Sequence, residues 1–172
     1  MNLQEEPMLG SESDTPHQKG EVDPALPDRI RWLMNDQPYA VLCTQGQTQP
    51  YGSLVAFAVS KDMRSVVFGT PITTRKYRLL VGCDHVALVV DSRSSFPDDM
   101  MKVEAVTATG RAVELKRGEA FTEWADKLTH RHPNLQAFVA ASSCALFRID
   151  IIRYFHVGRF QEVQQWVPPD SG

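Results

Sequence analysis

A series of short apolar segments separated by polar turns constrains the fold of this chain more than any other feature. Segments rich in Val, Ile, Phe and Tyr between turn residues are typical of strands. Helical patterns intervene only occasionally and do not alternate regularly with the strands, which favours an antiparallel barrel over a doubly wound sheet. We therefore predict a mainly β protein, an antiparallel barrel of about six to seven strands with flanking helices. The predicted strands are 39–44, 51–59, 65–69, 85–91, 103–115, 144–152 and 154–160.

A few amphipathic segments predict the flanking helices. Asp23 is placed to cap the first of them, and Pro24 suits a first helical turn. Pro133 ends the pattern of the third. Gly110 lies inside a predicted strand and indicates a bend or bulge there. The predicted helices are 24–35, 73–81, 118–129 and a short turn at 135–140.

Length and composition indicate a single globular domain in a reducing compartment. The 172 residues suffice for a single domain, predicted at 23–168 between a flexible acidic tail at 1–22 and a C-terminal tail at 169–172. A net charge of -3 disfavours a non-specific nucleic-acid binder. No apolar run is long enough to span a bilayer and no signal-peptide pattern begins the sequence, so we expect a cytoplasmic protein without membrane contact. Predicted buried, reduced thiols are Cys43, Cys83 and Cys144.

The segment 69–78, GTPITTRKYR, concentrates polar chemistry at one point of the chain. It joins a predicted strand to a predicted helix, and a helix N-terminus offers free N–H groups and the positive end of a dipole. Hydroxyls and adjacent cations added there suit a dianionic phosphate. The structural alternative is that Thr73 only caps the helix while Arg75, Lys76 and Arg78 form a solvated face. The candidate anion-binding residues are Thr70, Thr73, Thr74, Arg75 and Lys76.

This turn does not belong to the common nucleotide-binding loops. It lacks the Gly-Lys-Ser/Thr ending of a Walker loop, and no G-x-G-x-x-G follows any predicted strand. Nucleoside triphosphates and dinucleotides bound to a Rossmann fold are therefore poor candidates.

Several segments together resemble the pyridoxamine 5'-phosphate oxidase-like, FMN-binding split-barrel family. They are PYGSLVAF (50–57), TPITTRKYRLL (70–80), DHVALVVD (84–91), VTATGRA (106–112) and YFHVGRF (154–160). The similarity extends from about residue 28 to 166. It departs near the C-terminus, where Gly158-Arg159-Phe160-Gln161 stands at the position of a frequent Gly-Phe-Gly, and the Arg and His set that grips the substrate in true pyridoxamine phosphate oxidases is not found in its usual context.

The resemblance implies flavin mononucleotide (FMN) bound at the interface of a homodimer, with a small-molecule substrate or electron donor. It assigns the phosphate to the turn described above and the flavin ring and ribityl chain to the preceding strand. It also allows Trp166 or Arg159 to reach the flavin of the neighbouring subunit. An FMN-dependent oxidoreductase is the function implied, with a non-catalytic flavin- or haem-binding carrier and a deazaflavin-dependent reductase as alternatives. The ring-side candidates are Ser53, Leu54, Val55 and Ala56.

Other chemistry-bearing residues have simpler explanations. The pair His130 and His132 lacks a Cys or carboxylate at metal-ligand spacing, so no metal is predicted. His156 is a candidate haem ligand, although a lone His in a strand is more often a packing residue. Adjacent acids such as Asp98 and Asp99 point apart in extended chain and do not form an acid/base pair. Core residues predicted from helical spacing are Phe121, Trp124 and Leu128.

Overall fold

The computed structural model describes residues 23–46, 49–158 and 162–169, so the predicted tail at 1–22 lies outside the described residues. The helices within them are α1 (Leu26–Asp36), α2 (Arg75–Gly82), α3 (Glu119–Arg131) and α4 (Gln136–Ala140). The strands within them are β1 (Tyr39–Gly46), β2 (Gln49–Val59), β3 (Ser65–Pro71), β4 (His85–Asp91), β5 (Ala105–Leu115), β6 (Cys144–Gly158) and β7 (Glu162–Trp166).

All neighbouring strands are antiparallel, in the order β3-β2-β1-β4-β5-β6-β7. An additional pairing of β3 with β6 closes the first six into a barrel, and β7 extends β6 beyond it. The predicted mainly β, antiparallel barrel of six to seven strands is confirmed. Closure leaves few unpaired strand edges, which makes a small sheet stable without a second layer.

The C-terminal strands differ from the sequence prediction. Residues 144–152 and 154–160 were predicted as two strands, but β6 runs without a break through Arg153, and the sequence pattern did not predict β7. Strand β6 can be this long because it changes neighbours: its first half pairs with β3 and its last residues pair with β7. Arg153, a polar residue at which the sequence pattern suggested a turn, thus occupies an outward-facing position within one continuous strand.

Gly110 marks a bulge, as its position in the sequence predicted. The register between β5 and β6 shifts between Thr109 and Gly110. A Cβ atom at Gly110 would overlap the carbonyl oxygen of Asp150 on β6. Glycine is required here because the two backbones approach too closely for any side chain.

Helix α1 closes one mouth of the barrel. It begins at Leu26, two residues later than the sequence predicted, and the Asp23 carboxylate accepts a hydrogen bond of 2.9 Å from the Ala25 N–H just before it. Arg31 on its outer side donates to the carbonyl oxygen of Lys61 in the β2–β3 turn, which fixes the helix at that end. The side chains that α1 buries completely are Leu26, Ile30, Leu33 and Met34.

A second apolar cluster lies outside the barrel, where α3 and α4 pack on β3 and β6. Phe121, Trp124 and Leu128 are buried there against Val67 and Leu146, so the predicted core face of α3 is confirmed. The cluster adds an apolar layer outside the barrel wall where β3 and β6 are fully paired.

Candidate cofactor site

The barrel is split between β2 and β3. These strands pair only over Phe57–Val59 and Val66–Phe68 and then separate. Beyond that point β3 stays on β6 as far as Pro71, while β2 keeps only β1 as its neighbour over 49–56. One edge of β2 therefore has backbone groups without a strand partner, and α2 lies across the gap.

The loop into α2 is built on two threonines. The Thr70 hydroxyl is buried and lies 2.9 Å from the Thr74 hydroxyl. Thr74 accepts a 3.2 Å hydrogen bond from the Tyr77 N–H and donates a 2.9 Å bond to the Pro71 carbonyl oxygen, so it is the N-cap of α2. The structural alternative, in which Thr73 caps the helix, places the cap one residue too early, because α2 begins at Arg75. Thr73 is exposed at the helix start instead.

Both predicted cations reach toward the free edge of β2. Lys76 Nζ lies 3.4 Å from the carbonyl oxygen of Leu54, and burial lowers the pKa of this half-buried amine. The Arg75 guanidinium lies 5.0 Å from the centroid of the Tyr51 ring, at cation–π distance. The two side chains extend from the helix N-terminus to the unpaired strand edge, so positive charge and backbone N–H groups meet in one place.

The four ring-side candidates do not share one face. Ser53 pairs with the fully buried Leu42, and Val55 is buried as well, so both side chains point into the barrel. Leu54, 68% exposed, and the half-exposed Ala56 point outward. Because consecutive residues of a strand direct their backbone groups to opposite edges, only Leu54 and Ala56 present their N–H and C=O groups to the split. The Ser53 hydroxyl oxygen is buried and has no hydrogen-bond partner among the described residues.

Trp166 lies far from this turn within the same chain. Its ring stacks on Tyr154 with 5.5 Å between centroids, and the Tyr154 hydroxyl donates a 2.6 Å bond to the carbonyl oxygen of Met63 at the α1 mouth. Helix α2 occupies the opposite mouth, next to Gly46 at the end of β1. The structure thus brings the threonines, Arg75, Lys76 and the edge of β2 together, but not Trp166. Arg159 and the rest of that loop lie outside the described residues.

Two histidines that the sequence singled out are engaged in structural contacts. A ring nitrogen of the buried His132 lies 2.9 Å from the carbonyl oxygen of Phe57. His156 is 6% exposed, and its Nε2 lies 3.3 Å from the Glu104 carboxylate, which also pairs with Arg29. Burial, with a smaller effect of Arg29, lowers the pKa of His156. Within the described ranges, no group of three or more His, Cys, Asp or Glu side chains is placed to hold a metal ion.

The remaining polar candidates also have structural roles. The Asp99 carboxylate accepts a 3.1 Å bond from the Met101 N–H and so caps a short 3-10 turn. The three cysteines are free thiols, as expected, but only Cys144 is fully buried while Cys43 and Cys83 are half-buried.

Tyr51 and Tyr77 are parts of the site that the sequence did not predict. Tyr51 carries the Arg75 contact, and the Tyr77 hydroxyl lies 3.3 Å from the Glu114 carboxylate while its ring packs edge-on against Phe147. Burial raises the pKa of Tyr77, and the neighbouring Glu114 adds to the effect. Alternation along β2 puts Tyr51 on the inward face, but only the packing of α2 shows what it contacts.

The chain is thus a split antiparallel β-barrel with a cationic helix N-terminus at the split. The sequence matches the family described as pyridoxamine 5'-phosphate oxidase over residues 26–158. The chain therefore belongs to the pyridoxamine 5'-phosphate oxidase family. None of the described helices is both long and apolar enough to cross a bilayer.

Solved structures share the fold at low sequence identity. A heme binding protein from Mycobacterium smegmatis is 15% identical with a TM-score of 0.75, and the match covers 86% of this chain and 60% of that one. HutZ, the heme storage protein of Vibrio cholerae, is 16% identical, with a TM-score of 0.68 and coverage of 78% and 96%. A FAD-binding protein from Mesorhizobium loti is 16% identical, with a TM-score of 0.63 and coverage of 79% and 95%. This chain spans 60% of the length of the Mycobacterium protein. No curated protein matches the sequence.

Proposed function

We propose that this protein binds FMN at the split of its barrel and works as an FMN-dependent oxidoreductase. The observation that carries the proposal is the meeting of Arg75 and Lys76 with the unpaired edge of β2 at the start of α2. A phosphate at the helix start receives the free N–H groups, the Thr73 hydroxyl and the two cations. Membership in the pyridoxamine 5'-phosphate oxidase family and the likeness to a FAD-binding protein support a flavin.

The rest of the cofactor fits the strand beside the turn. A flavin ring presents hydrogen-bond donors and acceptors along one edge, and the backbone N–H and C=O groups of Leu54 and Ala56 face it because no strand covers this edge of β2. The unpartnered Ser53 hydroxyl lies in the same segment. When bound, the flavin would supply hydride and electron transfer, while the protein fixes its position and its access to solvent.

A homodimer is part of the proposal because the outer face of the sheet is apolar and uncovered in one chain. Register places Leu54 beside Val41, Val41 beside Val89, Val89 beside Thr107 and Thr107 beside Phe155. We call these five residues the outer row. A second copy packed on the outer row would bury exposed Leu54 and bring a partner surface next to the split. In such a dimer Trp166 or Arg159 of one subunit is available to the flavin of the other.

The first test is the visible spectrum of the purified protein before and after addition of FMN. Flavin bands and a stoichiometry of one flavin per chain are expected. The double variant Arg75→Ala/Lys76→Ala should weaken FMN binding by about tenfold or more, since each charge-assisted contact contributes about 1.5–3 kcal/mol. The matched control Lys61→Ala/Lys127→Ala removes two cations outside the turn and should bind FMN like the wild type. Equal flavin content in both variants would contradict the assignment of the FMN phosphate to this turn.

The same spectrum separates the cofactor alternatives, because flavin, deazaflavin and haem absorb at different wavelengths. Reduction of bound FMN by NADH or NADPH, followed by rapid reoxidation with an artificial acceptor, is expected for an oxidoreductase. Stable flavin binding without turnover would identify a carrier instead. Three free thiols are consistent with the reducing cytoplasm, which is the location we propose.

The dimer is tested with Leu54→Arg, which places a charge in the outer row. Because Leu54 is exposed in the single chain, the variant should fold, yet it should elute as a monomer and lose flavin affinity. Trp32→Arg, an exposed apolar residue of α1, is the control and should remain dimeric. A wild-type monomer with FMN bound, measured by light scattering, would refute the shared site.

A further inference from the structure

A small polar pocket lies beside the α1 mouth of the barrel. Its volume is about 120 Å³, and it is bounded by the start of α1, the residue before β5 and the paired ends of β6 and β7. The described residues that line it belong neither to the α2 turn nor to the outer row. They are Asp23, Arg29, Glu104, His156, Gly158, Glu162 and Gln164.

The pocket has an excess of negative charge. Glu104 is paired with Arg29, so the charges of these two side chains compensate each other. The Asp23 carboxylate accepts a hydrogen bond from the Ala25 N–H, and Glu162 is exposed at the first position of β7. Among the described residues, the carboxylates of Asp23 and Glu162 are thus left without a paired cation, which favours a positively charged ligand.

His156 contributes a hydrogen-bond acceptor to this pocket. Its side chain is 8% exposed, and its Nε2 lies 3.3 Å from the Glu104 carboxylate. Burial and Arg29 lower the pKa of the ring more than Glu162 and Asp23 raise it, so the ring is neutral at neutral pH and carries one proton. Because a carboxylate only accepts hydrogen bonds, that proton lies on Nε2, and Nδ1 keeps a free lone pair.

The Nδ1 atom of His156 has no hydrogen-bond partner among the described residues. Space remains beside it because residue 158 is a glycine: a Cβ atom there would lie 3.2 Å from Cε1 and 3.9 Å from Nδ1 of His156. An acceptor on a side chain that is more than nine-tenths buried costs free energy while it lacks a donor. A ligand that donates a hydrogen bond into this space would remove that cost.

We propose that this pocket binds the ammonium group of a small primary amine. An ammonium group has three donors and no acceptor, which matches His156 Nδ1 and the carboxylates of Asp23 and Glu162 along the pocket wall. The small volume admits only a short amine. A metal ion is disfavoured, since within the described ranges no three His, Cys, Asp or Glu side chains are placed to hold one.

The test is a titration of isotopically labelled protein with methylammonium, followed by NMR of the His156 ring nitrogens. The free protein should show the tautomer with the proton on Nε2. Methylammonium should then shift the Nδ1 resonance saturably in the millimolar range, as expected for so small a ligand. Tetramethylammonium has the same charge but no N–H donor, so it should leave this resonance in place. Equal shifts with the two cations, or a proton on Nδ1 in the free protein, would overturn the proposal.

Two variants test the walls of the pocket while His156 stays in place. Gly158→Ala fills the space beside Nδ1 and keeps every charge, so it should weaken methylammonium binding about tenfold or more. Glu162→Gln should have an effect of similar size, because it removes a charge-assisted hydrogen bond. Glu123→Gln, which neutralises an exposed carboxylate of α3, is the matched control and should titrate like the wild type. Wild-type affinity in both pocket variants would overturn the proposal.

The double variant Arg75→Ala/Lys76→Ala separates this proposal from the flavin proposal. It should lose FMN yet bind methylammonium like the wild type, because the α2 turn contributes no residue to this pocket. Magnesium and zinc ions are titrated in parallel. If either ion shifts the Nδ1 resonance at lower concentration than methylammonium, the pocket is a metal site and the amine proposal is wrong.

Discussion

The two helices that close the mouths of the barrel are held in place by different interactions. Helix α1 buries four apolar side chains completely, among them Ile30 and Leu33, whereas α2 buries only Leu80 and half-buries Tyr77. Complete burial of an aliphatic side chain stabilises a protein by about 1.5–3 kcal/mol, so α1 is held by the hydrophobic effect. Helix α2 is held by its cap and by polar contacts across the split.

This difference shows how one small barrel combines stability with binding. The α1 mouth is also fastened by hydrogen bonds to the β2–β3 turn, from Arg31 to Lys61 and from Tyr154 to Met63. At the α2 mouth the strand edge is unpaired and the cations are at least partly exposed. A ligand there gains contacts that the folded chain has not already made for itself.

The largest expected effect is a loss of stability when the apolar packing of the α1 mouth is disrupted. Leu33→Ala should lower the free energy of unfolding by about 2–5 kcal/mol, because it removes a completely buried side chain and leaves a cavity. Trp32→Ala, on the exposed side of the same helix, should change it by less than about 1 kcal/mol. Urea unfolding followed by circular dichroism measures both. Similar losses in the two variants would contradict the assignment of α1 as the apolar plug.

The hydrogen bond from Tyr154 to Met63 should have the next largest effect. Tyr154→Phe keeps the ring and leaves the buried Met63 carbonyl oxygen without this donor, at a cost of about 1–3 kcal/mol. Met63 has a φ of 63°, a left-handed conformation unusual for a residue with a side chain, so its turn depends on such contacts. Tyr51→Phe removes a tyrosine hydroxyl at the α2 mouth, and its stability is compared with that of Tyr154→Phe. Equal stability of Tyr154→Phe and wild type in urea would show that the bond adds nothing.

A smaller effect is expected at the α2 mouth. Thr74→Ala removes the N-cap and should cost about 0.5–2 kcal/mol in the protein without cofactor. Thr73→Ala, one residue earlier and exposed, should leave that stability unchanged while weakening FMN binding. Thermal unfolding and FMN titration of the two variants separate capping from phosphate contact. A stability loss at Thr73 as large as that at Thr74 would move the cap back to where the sequence placed it.

The smallest effect is a pH dependence at the α1 mouth. The pKa of His156 is lowered in the folded protein, so the folded state favours the neutral ring, and this stability is lost as the pH falls from about 6.5, its unfolded value, through the lowered folded value. The charged groups around it are Asp23, Arg29, Glu104 and Glu162. His156→Gln should flatten the acid limb of stability against pH, while His130→Gln should not. If the stability of His156→Gln falls with acid pH as it does in the wild type, His156 is not the source of this pH dependence.

Local features were predictable where a short stretch of chain contains the cause. Segments rich in β-branched and aromatic residues between polar turns placed β1 to β5, and helical spacing placed the buried face of α3 with Phe121 and Trp124. The concentration of Thr, Arg and Lys before a helix marked the α2 turn. The cap was misplaced by one residue because Thr73 and Thr74 are equally good caps in sequence, and only the Tyr77 N–H selects between them.

The predictions failed where the structure depends on contacts between residues that are far apart in the sequence. The division of β6 at Arg153 was wrong because a polar residue in a strand looks like a turn until its outward position beside Thr109 is known. The ring-side candidates were predicted as one group, yet the side chains of Ser53 and Leu54 lie on opposite faces of β2, and only Leu54 directs its backbone groups to the split. Trp166 is separated from the α2 turn within the chain because β7 extends β6 at the α1 mouth.

The sequence by itself determined the strand-rich antiparallel class, the helix positions to within a few residues and the concentration of Thr, Arg and Lys at the α2 turn, because propensity, periodicity and charge act over neighbouring residues. Only the tertiary structure decided that β3 separates from β2 while it stays paired with β6, and so where the split opens. It also decided that Lys76 reaches Leu54 and that His156 borders a polar pocket. Those outcomes depend on strand register and barrel closure, which are set by contacts between residues far apart in the chain.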